Sequence, residues 1–229
     1  MKNLDDYLNP TEIIDSNHPA ILEYARKTAG NAPDGNTTDE ISIACRLFTA
    51  VRDEIAYNPR THFYLKSHYQ ASNVLERKSG YCVSKACLLC ALGRASGIPS
   101  RLGLADIRNY GASWEVVELM GTNIFTYHGF VEFFLDGQWV KATPAFDRPV
   151  YEKHHIPLLE FNGREDAVFP SHDLNGKPYV DYMKYHGSFA DLPLNDLVQA
   201  FRKIYGEDRV DFWIEMLESE LPNEERNNR

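Results

Sequence analysis

The chain is poor in basic residues and has no long apolar run. Against 33 Asp and Glu stand 24 Lys and Arg, a formal charge of −9 over 229 residues. No Lys/Arg cluster stands out, so a phosphate-tracking surface, and with it nucleic acid as a partner, is not expected. No stretch reaches the roughly 18 apolar residues that span a bilayer. The opening Met1-Lys2-Asn3-Leu4-Asp5-Asp6 carries acid where a secretory signal needs positive charge and an apolar core. These absences imply a cytoplasmic protein with no membrane partner. Cysteine is scarce as well: Cys45, Cys82, Cys87 and Cys90 are the whole set, and in that compartment they are expected as thiols. On a helix Cys87 and Cys90 lie within about 60° of each other while Cys82 is about 140° from Cys87. The second ligand pair of a zinc knuckle is also missing. Neither a metal nor a cofactor is expected, and no internal repeat is visible.

What is present reads as one domain over 1–229, with 43% hydrophobic residues, enough for one substantial core. Helical spacing is found near Ala20 to Thr28 and again from about Thr38 to Ile55, where Ile41, Ala44, Cys45, Phe48, Val51 and Ile55 recur three and four apart. The turn-rich Gly30 to Asn36 lies between them. A short helix is expected at Ser72 to Glu76. From Val83 to Ala95 only Ser84, Lys85 and Arg94 are polar, which predicts a central helix buried on all sides, ended by Gly97-Ile98-Pro99. The pattern then turns to strand through Leu102, Leu104 and Ile107, with a polar turn at Arg108 to Gly111 and a short helix around Trp114 to Met120. Tyr127 to Leu135 and Gln138 to Ala142, joined by Asp136-Gly137, form the clearest hairpin in the chain. Residues 148–221 read as a C-terminal extension and candidate lid, ending in helices, and 222–229 as a disordered tail.

Chemistry concentrates in two segments. Ser79-Gly80-Tyr81-Cys82 delivers a cysteine to the start of the apolar helix, and His128 lies on the first hairpin strand. A helix N-terminus and a nearby imidazolium both favour a thiolate, the attacking form of cysteine. A two-residue turn at 136–137 makes paired hairpin positions sum to 273, so Glu132 faces Lys141, a cross-strand ion pair. Carried further, the same register puts His128 opposite Ala145, with Thr143 and Asp147 as diagonal neighbours able to orient the ring. Pro144 bends the strand there.

These segments resemble the transglutaminase-like superfamily of cysteine hydrolases and acyltransferases, papain-like in its core. Gly80-Tyr81-Cys82, Gly97-Ile98-Pro99-Ser100-Arg101 and His128-Gly129-Phe130-Val131-Glu132 carry the resemblance, which covers about 40–147. It implies an α+β fold, with the cysteine at the N-terminus of a central helix packed on an antiparallel sheet. It also implies a Cys-His-Asp triad in which Cys82 attacks an amide carbonyl and His128 moves the proton. The family's aspartate precedes a proline on the strand after Trp139, and here that position is Thr143. Asp147 supplying the carboxylate from a shifted position and Thr143 supplying a hydroxyl are the two alternatives.

Tyr81, Trp139, Asp106 and Asn109 are candidate substrate contacts, and Tyr57, His62, Tyr64, Tyr69 and Gln70 candidate second oxyanion donors. The expected partner is a peptide or protein amide, by hydrolysis or by acyl transfer. The rival expectation is a catalytically silent fold of the same family used for binding. Sequence does not specify the oligomeric state.

Overall fold

A computed structural model describes residues 4–30 and 39–220. The expected tail at 222–229 and most of the loop after Gly30 lie outside the described residues. The elements run in chain order as α1 (Pro19–Ala29), α2 (Glu40–Glu54), β1 (Ala56–Tyr57), α3 (Ala71–Arg77), β2 (Ser79–Gly80), α4 (Cys82–Ala95), β3 (Ser100–Asn109), α5 (Trp114–Met120), β4 (Ile124–Leu135), β5 (Gln138–Ala142), α6 (Arg148–His154), β6 (Val180–Phe189), α7 (Leu194–Tyr205) and α8 (Glu207–Glu220).

The central helix is α4, and everything from Val83 to Arg94 on it is buried. Four antiparallel strands in the order β5-β4-β3-β6 form the sheet beside it. Val83, Leu88, Leu89 and Leu92 join Leu102, Leu104, Val131 and Phe133 in the main core, each such side chain contributing about 1.5–3 kcal/mol by leaving water. Helices α7 and α8 add Leu197, Tyr205, Val210, Trp213 and Leu217 to that same core, so the C-terminal extension is built into the domain. A second, smaller cluster holds Ile107, Ala145, Tyr151, Ile156, Phe169, Tyr179 and Val180. Partners in a strand pair share a face and successive residues alternate. Ile107 therefore marks the sheet face opposite Leu102 and Leu104, and the second cluster covers that face.

The polar residues of α4 are each satisfied. Ser84 Oγ accepts from the Tyr81 N–H at 2.9 Å and donates to the Tyr81 carbonyl at 3.1 Å, capping the first turn. Lys85 Nζ donates to the carbonyls of Arg52 (3.1 Å) and Ile55 (2.6 Å) at the end of α2, a position where the helix dipole favours a cation. Arg94 reaches the carbonyls of Ser100, Asn9 and Ala190.

The hairpin pairs Leu135 with Gln138 and Glu132 with Lys141, as the 273 rule requires, but pairing stops at Val131 and Ala142. Thr143 instead donates its N–H to the Ala167 carbonyl at 2.9 Å. The extrapolation that set His128 against Ala145 therefore fails, and the residue opposite His128 is Ala105 on β3. The expected Glu132–Lys141 ion pair does not form either. Glu132 bonds Arg101 at 2.5 Å, its partner on the other side, and Lys141 lies 3.4 Å from Asp166. A guanidinium at that site also covers the Trp139 ring, 3.8 Å from its centroid.

Candidate active site

Gly80 and Gly129 bring the two chemical segments together. A Cβ on Gly80 would lie 2.5 Å from Ser84 Oγ, and one on Gly129 would lie 2.8 Å from Val83 Cα. Only glycine lets the turn into α4 tighten, and only glycine lets β4 press against the first turn of that helix. Because β5 has left the sheet by this point, β4 lies open to the first turn of α4, and the amides of Gly129, Val83 and Cys82 all oppose the effect of burial on the Cys82 thiol. The residue after His128 thus packs against the first turn of the helix that begins with Cys82. Cys82 is partly buried and packs against both apolar clusters.

Electrostatics correct the thiolate–imidazolium expectation. Burial pushes the Cys82 thiol up to about 11 despite the opposing amides, and burial pulls His128 down to about 3. Desolvation disfavours both charged forms, so thiol and imidazole rest neutral at pH 7. Tyr57, Tyr69, Tyr81, Tyr182 and Tyr205 lie within electrostatic range of the sulfur. Their phenols are raised by burial, and all lie close enough for a charge on Cys82 to add to the rise.

His128 is 3% exposed and lies beneath aromatic rings, 5.1 Å from Phe169 and 6.1 Å from Tyr182 between centroids. Its Nε2 has no hydrogen-bond partner among the described residues. Asp147 does not supply one, because both its oxygens are engaged elsewhere. Oδ1 accepts from the Val150 N–H at 3.2 Å, capping α6, and Oδ2 accepts from the Tyr57 N–H at 2.7 Å. Burial pulls the Lys85 amine down to about 7 even though the Asp147 charge favours its protonation. Thr143 is fully buried, with the Tyr182 hydroxyl beside its own.

The remaining candidates are scattered. Tyr81 caps α4 and shares a 2.7 Å hydrogen bond with the Tyr69 hydroxyl. Trp139 pairs with Phe134 and packs on Tyr7, six residues along β4 from His128 and so about 20 Å away at 3.3–3.4 Å per residue. Asn109 closes a turn by accepting from the Gly111 N–H. Asp106 bonds within the sheet to Thr126, Tyr127 and His186. Among the oxyanion candidates, His62 bonds the Leu217 carbonyl, Tyr69 donates to the Phe63 carbonyl and Gln70 accepts from Asn73. Tyr57 pairs with Gly80 at the cysteine turn.

Sequence reading missed Phe169 and Tyr182, the rings over His128. Phe169 lies in the aromatic, turn-rich stretch before β6, and Tyr182 on β6 itself, whose strand character is not visible from periodicity.

The transglutaminase-like superfamily core matches residues 26–144, just over half of the chain and inclusive of both Cys82 and His128. The chain belongs to the transglutaminase-like superfamily. No curated protein matches this superfamily member in sequence. Among solved structures it is similar to one from Cytophaga hutchinsonii titled a "putative cysteine protease", at 15% identity and a TM-score of 0.47. That match covers 82% of this chain and 54% of the other. It is also similar to a "putative protease" from Parabacteroides distasonis, at 16% identity and a TM-score of 0.37, covering 61% of this chain and 25% of that one. The chain therefore spans about half the length of the first of these and a quarter of the second. No helix among the described residues is long and apolar enough to cross a membrane.

Proposed function

We propose that this protein is a cysteine-dependent hydrolase or acyltransferase acting on peptide or protein amides, with Cys82 as nucleophile and His128 as general base. The observation that carries the reading is the close approach of Gly129, next to His128 on β4, to Val83 in the first turn of α4, which sets the histidine strand against the cysteine's helix N-terminus. With both groups neutral at rest, the thiol proton passes to His128 as sulfur attacks the carbonyl, rather than beforehand. The S–C bond forms, the C–N bond breaks as His128 returns the proton to the leaving amine, and a thioester remains on Cys82. Water or a second amine then takes the acyl group. Helix N-terminal amides stabilise the developing anion, and Tyr57 is the candidate second donor. Thr143 and Tyr182 supply hydroxyls where the family has a carboxylate, while Asp147 supports the cysteine turn through Tyr57. The rings of Phe169 and Tyr182 must shift for an acyl group to reach His128, which gives the 148–221 extension its role as a cover. Free thiols suit a reducing compartment, and we place the protein in the cytoplasm.

Incubation with a p-nitrophenyl ester and a peptide amide pool, followed by mass spectrometry, tests this reading. An acyl adduct on Cys82, absent in Cys82→Ala and slowed at least about 100-fold in His128→Gln, is expected. A wild-type protein that never acylates at Cys82 would favour the rival reading of a silent binding fold, for which the covered imidazole is the specific observation.

A further inference from the structure

One polar cluster remains that the reaction does not use. Asp106 sits in the middle of β3 with its Oδ1 accepting three hydrogen bonds: from the Thr126 hydroxyl at 2.5 Å, the Tyr127 N–H at 3.2 Å and His186 Nε2 at 2.7 Å. The strand register breaks at this residue against β4 and close to it against β6. Against β4, Ile107 pairs with Phe125 and Ala105 with His128, so Thr126 and Tyr127 together oppose Asp106 alone. Against β6, Leu104 pairs with Gly187 and Ala105 with Tyr185, which leaves His186 as an extra residue. Asp106 itself pairs with Lys184, and a second shift beyond it leaves out Met183, so the His186 bulge lies one step before Asp106 and its ring reaches the same carboxylate as the β4 bulge.

The β4 bulge is costly by itself. Tyr127 has φ +56°, a left-handed conformation that costs a residue with a Cβ about 1–2 kcal/mol. Asp106 engages both bulged residues, the Tyr205 hydroxyl accepts from the Thr126 N–H at 2.9 Å, and the Tyr127 ring lies over His186 with centroids 4.4 Å apart.

The position of the bulge matters because side chains alternate along a strand, so one added residue inverts every face beyond it. Phe125 and His128 are three apart and would face opposite ways on a regular strand. With the bulge between them, both face the second apolar cluster, Phe125 packing against it and His128 against Phe169. Gly129 consequently faces the first turn of α4, where only glycine fits. Removing the bulge would turn His128 toward α4 and present the wrong residue to Cys82.

We propose that Asp106, with His186, is the positioning group of this active site: it pins the β4 bulge and thereby selects the sheet face from which His128 serves Cys82. This rests on the Cys82–His128 reading and adds a residue that acts on it only through the backbone. Since all three bonds go to one oxygen, an amide in the same place can keep them, whereas a hydrocarbon cannot.

The test is the single-turnover rate of Cys82 acylation by a p-nitrophenyl ester. Asp106→Leu should lower the saturating rate about 30-fold or more, with a smaller change in the half-saturating ester concentration. Asp106→Asn should restore it to within about threefold of wild type. Thr126→Val and His186→Gln, each removing or weakening one bond, should fall between and keep a cooperative thermal transition if Asp106→Leu does not fold. A folded Asp106→Leu that acylates at the wild-type rate overturns the proposal, and so does an Asp106→Asn as slow as Asp106→Leu, since charge would then be what counts. If Asp106→Leu does not fold, wild-type rates in both single-bond variants overturn it. A wild-type protein that fails to acylate at all defeats the underlying Cys82–His128 reading instead.

Discussion

The two ends of α4 treat buried polar groups in opposite ways. Near its C-terminus the Arg94 guanidinium is buried yet donates to three carbonyls from three separate segments, those of Asn9, Ser100 and Ala190. Near its N-terminus the Cys82 thiol is favoured as an anion by nearby amides while resting protonated, and His128 Nε2, on the strand packed against that turn, has no partner among the described residues. A buried donor left unpaired costs about 1–3 kcal/mol. The saturated end therefore reads as structure, and the unsaturated end as a site that holds capacity for a reacting group.

That contrast breaks most sharply through the nucleophile. Cys82→Ala should abolish ester acylation while leaving thermal stability nearly unchanged, because a thiol in a partly buried position contributes little packing. His128→Gln should slow acylation by about two to four orders of magnitude. Retained acylation in either variant would erase the distinction between the two ends.

The opposite pattern is expected at the saturated end. Arg94→Met should cost about 3–5 kcal/mol in denaturant unfolding, since it strands carbonyls that the guanidinium now serves. The same variant, measured well below its midpoint, should acylate Cys82 within about twofold of wild type.

A smaller effect follows from pH. The folded His128 titrates near 3 against an ordinary value of 6.5, so between those values the unfolded chain binds the extra proton. Stability contributed by keeping this ring neutral is full above about 6.5 and is lost as pH falls toward 3, with a limiting slope of about 1.4 kcal/mol per pH unit. Cys82 has the opposite sign: its thiol, raised from 9.0 to about 11, loses stability as pH rises across that window. His128→Phe should flatten the acid limb measured by urea unfolding at pH 4 to 7, and an unchanged limb would mean the ring is solvated.

Smallest of all is the hydroxyl pair. Thr143→Val and Tyr182→Phe should each lower acylation by about two- to tenfold, whereas Asp147→Asn, which keeps one acceptor oxygen for Tyr57 or Val150, should act mainly on stability. A larger loss of acylation in Asp147→Asn than in Thr143→Val would reverse the roles given to those side chains.

Much of this was legible in the sequence for definite physical reasons. Helix α4 is apolar on all sides and bracketed by Gly80 and Gly97, so its burial could be read directly. The Asp136-Gly137 turn fixed the hairpin register through Glu132 and Lys141. The same rule failed one step further because Pro144 follows Thr143 and Ala167 takes over the pairing. Strand β6 was not legible: it is an edge strand whose bulges at Met183 and His186 break the alternation, and Tyr182, Met183 and Tyr185 are exposed. Its contribution to the site, through Tyr182 and His186, was therefore hidden. Asp106 was visible as a polar residue on a strand, but its role depends on partners 20 and 80 positions away.

The most direct measurement is a comparison of Cys82 acylation in wild type and His128→Gln under single turnover at pH 7. The account predicts a thioester on Cys82 that forms at least about 100-fold more slowly without the imidazole. Equal rates in the two proteins, or acylation at Cys45 in place of Cys82, would contradict it.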